Sequence, residues 1–238
     1  MIILQFDNPY HHWGLLMVRS LALHEPDKRV LLDTVNLSPE QVRELRDAHP
    51  RAIVENDTTT WETTSPALMV NRKPFVMQRA MDAYPDEPWY GQFDADFLVR
   101  RPLDSLWAKL DEYHAALFVT NGMWRGRYFR HLVTPAGIVV VRPEGRVLID
   151  NWAKWLTHDK PLGDVAQGQW YRDTVSLLEA KNETHLRYAK LSMDNHANAQ
   201  FSSNAAIWSA HVPARDKPHY YKRFLEEYER QRRTKQPE

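Results

Sequence analysis

The chain has 238 residues and 43% hydrophobic content, enough apolar side chain to bury a sizeable core. Its 31 Lys and Arg balance 31 Asp and Glu, so no net field steers nucleic acid or an anionic membrane toward it. It contains no cysteine, which excludes disulfides, zinc-thiolate centres and thiol catalysis; its longest apolar runs, such as AGIVVV (136–141), fall far short of a membrane span.

The start, MIILQFDNPYHH, lacks a basic n-region and a long apolar h-region, so it reads as a first strand rather than a signal peptide. The expectation is one soluble, cytoplasmic globular domain over 1–238, with no transmembrane segment. After the strand IILQF (2–6), HHWGLLMVRSLALHE (11–25) carries Leu15, Val18, Leu21 and Ala22 on one helical face. RVLLDTV (29–35) is a second strand. SPEQVRELRDAH (38–49) opens with Ser38 as N-cap, Pro39 at the first helical position and Gln41 three residues past the cap, a clear helix start. RAIVEN (51–56) is a strand, RKPFVMQRAMDAY (72–84) a helix and WYGQFD (89–94) a strand. LDSLWAKLDEY (103–113) reads as a helix, AALFV (115–119) and GIVVVR (137–142) as strands, and EGRVLIDNWAKWL (144–156) and QWYRDTVSLLEA (169–180) as helices. Strands alternating with helices predict an α/β fold with a mostly parallel central sheet.

From about residue 183 the chain is less regular, with one short strand expected at AAIWSA. It ends in a helix, HYYKRFLEEYERQRR (219–233), whose Tyr220, Tyr221, Phe224 and Tyr228 share one side. The terminal RQRRTKQ (230–236) reads as a solvated helix end, with weak contact to a membrane surface as its second reading.

The chemistry centres on PWYGQFDADFLVRRPLDSLW (88–107), where an aromatic strand ends in Asp94 and Asp96. In a continued strand, positions i and i+2 share a face, and ligands bind at the carboxyl edge of open α/β sheets. Two adjacent ionised carboxylates repel and are stable together mainly with a cation or proton between them. The other reading is a solvated turn in which Asp94 only ends the strand.

With its flanks, this segment resembles the nucleotide-sugar glycosyltransferases of the GT-A fold, most of all the retaining group that includes glycogenin and the bacterial lipopolysaccharide galactosyltransferases. The resemblance implies a single GT-A-like (Rossmann-like) domain, helices flanking its sheet, and a D-x-D that holds Mn²⁺ or Mg²⁺, which in turn holds the diphosphate of a nucleoside diphosphate sugar. Three further segments carry it. FDNPYHHWGLLMVRSLALHEPDKRVLLDTVNLSPEQVREL (6–45) resembles the group's first βαβα unit, which implies base and ribose contacts from Asp7 and Tyr10; read alone, Asp7 is equally a helix N-cap. TPAGIVVVR (134–142) resembles the group's Asn-x-Gly strand, with Thr134 or Pro135 where Asn is expected. HVPARDKPHYYKRF (211–224) reproduces the group's His followed six residues later by Lys-Pro, as His211 and Lys217-Pro218. Pro213 and Ala214 stand where the group has Gly, and His219 replaces an aromatic.

By that resemblance Asp94, Asp96 and His211 are the metal ligands, a hard oxygen set with one imidazole that suits Mn²⁺. Lys73 and Lys217 are point charges for the diphosphate. The group's Asp-Gln pair has no adjacent counterpart in LGDVAQGQWYRDTV (162–175); Asp164 and Gln167 are its nearest candidates for catalysis, and an N-cap with solvated glutamines is the other reading. The chain has eight glycines and neither G-x-x-x-x-G-K nor G-x-G-x-x-G, which counts against P-loop hydrolysis and dinucleotide chemistry. Transfer from a UDP-sugar to a carbohydrate or glycoconjugate acceptor, with retention, is the implied function; Asp164 as general base would instead suit inversion. TNGMWRGRYFRH (120–131), with Trp124, Tyr128, Phe129 and three arginines, suits a carbohydrate or anionic acceptor or is a surface loop. A silent nucleotide-sugar-binding protein of the same fold is the alternative, and a metal-dependent hydrolase the third reading.

Overall fold

The computed structural model describes residues 1–58, 66–124, 126–157 and 171–235. Its strands are β1 (Ile2–Asp7), β2 (Val30–Val35), β3 (Ala52–Asp57), β4 (Tyr90–Asp94), β5 (Phe97–Val99), β6 (Ala115–Phe118), β7 (Met123–Trp124), β8 (Arg127–Tyr128), β9 (Ile138–Val141), β10 (Tyr188–Leu191), β11 (Ala197–Asn198) and β12 (Ile207–Ser209). Its helices are α1 (His11–His24), α2 (Pro39–Ala48), α3 (Pro66–Asn71), α4 (Lys73–Ala83), α5 (Asp104–Trp107), α6 (Arg146–Thr157), α7 (Arg172–Glu183) and α8 (Lys217–Lys235).

Seven strands form a mostly parallel sheet in the order β10-β6-β9-β4-β1-β2-β3. β2 and β3 run parallel, as do β6 and β10, whereas β9 is antiparallel to both its neighbours. Every residue of β1 and β2 is buried. Such continuous burial is the pattern of strands covered on both faces. The expected α/β class and parallel sheet are therefore observed.

Contacts group the chain into two compact units. The first comprises Met1–Gln5, Thr60–Phe93 and Ala108–Leu191. In it α6 packs against α4 and α7, with Trp152 fully buried and its indole N–H donating to the Asp173 carbonyl at 2.8 Å.

The second unit comprises Phe6–Thr59, Asp94–Trp107 and Ser192–Glu238. Its small sheet, in the order β11-β12-β5, pairs β12 antiparallel with β5 and parallel with β11. Beside it lies a cluster of Trp13, Leu16, Leu98, Trp208, Ala210, Phe224 and Tyr228. Phe224 meets Trp13 edge-on at 5.6 Å and Trp208 at 5.7 Å. Burying that ring stabilises the unit by roughly 1.5–3 kcal/mol and fixes α8 through the aromatic side expected from its sequence. The capping box of α2 also forms: Ser38 Oγ accepts from the Gln41 N–H at 3.3 Å, and Gln41 Oε1 accepts from the Ser38 N–H at 2.8 Å.

Local expectations gave way at several places. The helix expected over 103–113 is only α5 followed by a 3-10 turn, Ala108–Asp111. The start of α5 is held by a distant acid, since the Glu25 carboxylate accepts from the Leu103 N–H at 2.6 Å and the Trp107 indole N–H at 3.0 Å. Strands β5, β7, β8, β10 and β11 and helix α3 were not expected either.

Candidate functional site

Most of the predicted site residues fall in the second unit. β4 ends at Asp94, and Ala95 and Asp96 then form a turn before β5. The two acids are thus not on one continuous strand, and strand alternation does not set their facing. The β5–β12 pairing holds the backbone at Asp96. Its register aligns Phe97 with Ser209, and the Ala210 N–H donates to the Asp96 carbonyl at 3.1 Å. Past Ala210 the chain turns at His211, the Val212 N–H donating to the Ala210 carbonyl at 2.7 Å. Asp94 and Asp96 are half-buried and His211 is exposed, its backbone N–H donating to Ser209 Oγ at 3.2 Å.

Lys217 is the first residue of α8, two turns before Phe224 and hence on the same face as that anchor. Its Nζ donates to Asp96 Oδ2 at 2.5 Å and to the Tyr10 hydroxyl at 3.2 Å, and lies 5.0 Å from the Tyr10 ring centre. The side chains of Lys217 and Asp96 are 21% and 14% exposed. Water therefore screens this pair less than a surface ion pair. Burial pulls the Lys217 ammonium down, but Asp96 and Tyr10 together outweigh that pull and hold it above its ordinary value.

Tyr10 ends a short 3-10 turn, Asn8–Tyr10, shaped by Pro9 directly after β1. Asp7 precedes that turn as a residue only 4% exposed, and its side chain makes no capping hydrogen bond, so the N-cap reading of Asp7 is not realised. The turn is tied to α2, because Gln41 Nε2 donates to Asn8 Oδ1 at 2.7 Å. Asp7, Tyr10, Asp94, Asp96, His211 and Lys217 thus all belong to one unit, and direct side-chain bonds link Tyr10, Asp96 and Lys217.

Lys73 belongs to the first unit. It opens α4, is 4% exposed, and donates from Nζ to Asp173 Oδ2 at 3.1 Å and to the Ala136 carbonyl at 3.2 Å. Asp173 sits in the first turn of α7, and its Oδ1 accepts from the Thr174 N–H at 2.7 Å and the Thr174 hydroxyl at 3.0 Å. A buried, hydrogen-bonded ion pair is costly to break and is a functional-site candidate on physical grounds. Sequence reading missed Asp173; its one signal was an acid in the first turn of a helix. Asp164 and Gln167 lie outside the described residues.

Two hard carboxylates and an imidazole are donor types that suit a divalent cation. Among the described residues, however, no three His, Asp or Glu side chains are already grouped around a common point. Asp96 is instead engaged by Lys217.

No protein-family model matches the chain, and no curated protein matches it in sequence. Solved structures do. The galactosyltransferase LgtC, determined with donor and acceptor sugar analogues, superimposes with a TM-score of 0.55 at 15% identity, over 97% of this chain and 96% of its own. The glycosyltransferase GlyE of Streptococcus pneumoniae gives 0.62 at 14%, over 95% of this chain and 60% of its own. The bifunctional glycosyltransferase WbbM gives 0.61 at 13%, over 95% of this chain, which spans about half (49%) of WbbM. The fold is GT-A-like. At such identities the likeness is one of backbone architecture alone.

Proposed function

We propose that the protein is a glycosyltransferase that takes a sugar from a nucleoside diphosphate donor, UDP-linked, and moves it to a carbohydrate or glycoconjugate acceptor with retention. The observation that carries the reading is the Tyr10–Lys217–Asp96 contact at the end of β4, on a fold whose solved neighbours are glycosyltransferases. Fold alone does not assign chemistry; a cation and an acid at that edge are what a diphosphate grip needs.

In this reading Asp7 and Tyr10 hold the base and ribose, and Lys217 supplies positive charge to the diphosphate. Asp94, Asp96 and His211 would hold Mn²⁺ or Mg²⁺. A divalent ion there would supply Lewis-acid stabilisation of the charge that grows on the leaving oxygen.

Thermal-shift screening of nucleoside diphosphates and nucleotide sugars, with and without Mn²⁺, tests this. A donor at about a hundred times its Kd should raise the melting temperature by roughly 5–10 °C for a chain of this size. Asp96→Asn should remove the Mn²⁺-dependent part of that rise, and a mutant that responds like the parent would refute the metal assignment. A nucleotide-sugar-binding protein without turnover is the second reading, favoured by Thr134 or Pro135 where the resembled group has Asn and by the separation of Asp164 from Gln167. Free nucleoside diphosphate appearing when donor and Mn²⁺ are supplied distinguishes the transferase from the binder.

A further inference from the structure

We infer that His24, Gln231 and Lys235 form a proton-sensitive clasp that fastens the last turn of α8 to the end of α1 and opens when the His24 ring is protonated.

The apolar attachment of α8 stops short of its end. Phe224 and Tyr228 are its members of the core cluster, with Tyr220 and Tyr221 packed partly buried against it. Beyond Tyr228 the helix is fastened by polar groups. Gln231 is 7% exposed. Its Nε2 donates to Glu227 Oε1 at 2.7 Å, which leaves its Oε1 to accept from His24 Nε2 at 2.6 Å. The proton of the neutral ring therefore sits on Nε2, and Nδ1 is an acceptor. Lys235 uses that acceptor: its Nζ donates to His24 Nδ1 at 3.3 Å and also to the Leu23 carbonyl. Leu23 lies in the last turn of α1, where carbonyls have no later N–H of their own helix to accept from.

One proton undoes this arrangement. An imidazolium carries N–H on both nitrogens, and an ammonium offers no acceptor. Protonation at Nδ1 turns the Lys235 bond into a contact between like charges, while the Nε2 bond to Gln231 survives. Opening is thus confined to the residues past Gln231.

The neighbouring charges do not replace the lost bond. Glu227 is held by Gln231, by Arg230 and, from β5, by Arg100. Against the upward pull of burial, those partners hold its carboxyl low, so it stays ionised while the histidine titrates. Glu25 accepts from Leu103 and Trp107, and Glu44 of α2 engages Arg19 and His11 further back along α1. Burial above all, and then the Lys235 charge, lower the His24 pKa, whereas Gln231 and Glu227 pull the other way. The clasp is complete above the ordinary histidine value of about 6.5 and is lost as pH falls through the lower value of the closed state. Each pH unit between the open and closed values makes opening about tenfold more favourable in acid.

The test is NMR of the full chain across a pH titration, reading the His24 ring nitrogens and the backbone ¹⁵N–¹H nuclear Overhauser effect at residues 232–235. In the parent the neutral ring should carry its proton on Nε2. Residues 232–235 should lose helical order with the same midpoint as the ring, while Tyr228 stays ordered. Lys235→Met keeps the apolar stem and removes the charge; it should raise the His24 midpoint and leave 232–235 equally mobile at every pH. Lys235→Arg, which restores a donor cation, should return the parent's coupling. Both variants change one exposed residue at the helix end, and unchanged amide signals from the core cluster verify the fold. A proton on Nδ1 of the neutral ring, residues 232–235 that stay ordered after His24 is protonated, or a His24 midpoint unmoved in Lys235→Met overturns the inference.

Discussion

A carboxylate at a strand end is stable when a cation answers it, and for Asp96 the chain supplies one from 121 residues away, the ammonium of Lys217. Glu25 shows the same rule with a different answer. It is 4% exposed and its two oxygens accept from the Leu103 N–H and the Trp107 indole. Glu25→Ala would leave both donors buried without an acceptor, at a cost of about 2–4 kcal/mol. Glu25→Gln keeps one acceptor oxygen and should lose clearly less. The urea midpoint of the two variants checks the order, and equal losses would show that the oxygen kept by glutamine sustains neither bond. Residue types at 7, 10, 94, 96, 211 and 217 were legible in the sequence, because their spacing and flanks follow a known pattern. The Lys217–Asp96 bond was not, since nothing local records which acid an ammonium reaches.

Among the elements, long ones were read well and short ones poorly. The Ser38-Pro39-Gln41 start of α2 and the aromatic side of α8 are statements about neighbouring side chains, and both hold. β5 has three residues and owes its existence to β12, more than a hundred positions later. The turn at Ala95 and Asp96 just before it removes the strand-alternation argument for the two acids. The α1–β1 contact is close enough to test. A Cβ on Gly14 would stand 2.5–2.7 Å from three ring atoms of Phe6, itself 2% exposed. Gly14→Ala gains helix propensity of about 1 kcal/mol but forces that ring aside, and should destabilise by about 1–2 kcal/mol net. A stabilised variant in denaturant titration would mean that the ring has room to move.

At the scale of the whole molecule, the histidines give a pH response. Burial is the largest cause lowering His11, His12, His24 and His49. His49 is 1% exposed and is held neutral, with Nδ1 accepting from the Arg51 N–H and Nε2 donating to the Glu25 carbonyl. The unfolded chain therefore takes up these protons first as pH falls. Stability from this source is complete above the unfolded value of about 6.5 and is lost as pH drops from there through the lower folded values. The urea midpoint should fall between about pH 7.5 and pH 5.5, before carboxylates titrate, and a flat profile there contradicts the assignment.

The sequence by itself determined the α/β class, the order of the long elements and the types of residue available to a diphosphate grip. Those follow from hydrophobic period, caps and local spacing, which act between neighbours along the chain. Only the tertiary structure decided that Asp96 faces Lys217 and that Lys73 is buried against Asp173. Each of these joins segments about a hundred residues apart, and the pairing of such segments depends on register and packing rather than on any local preference.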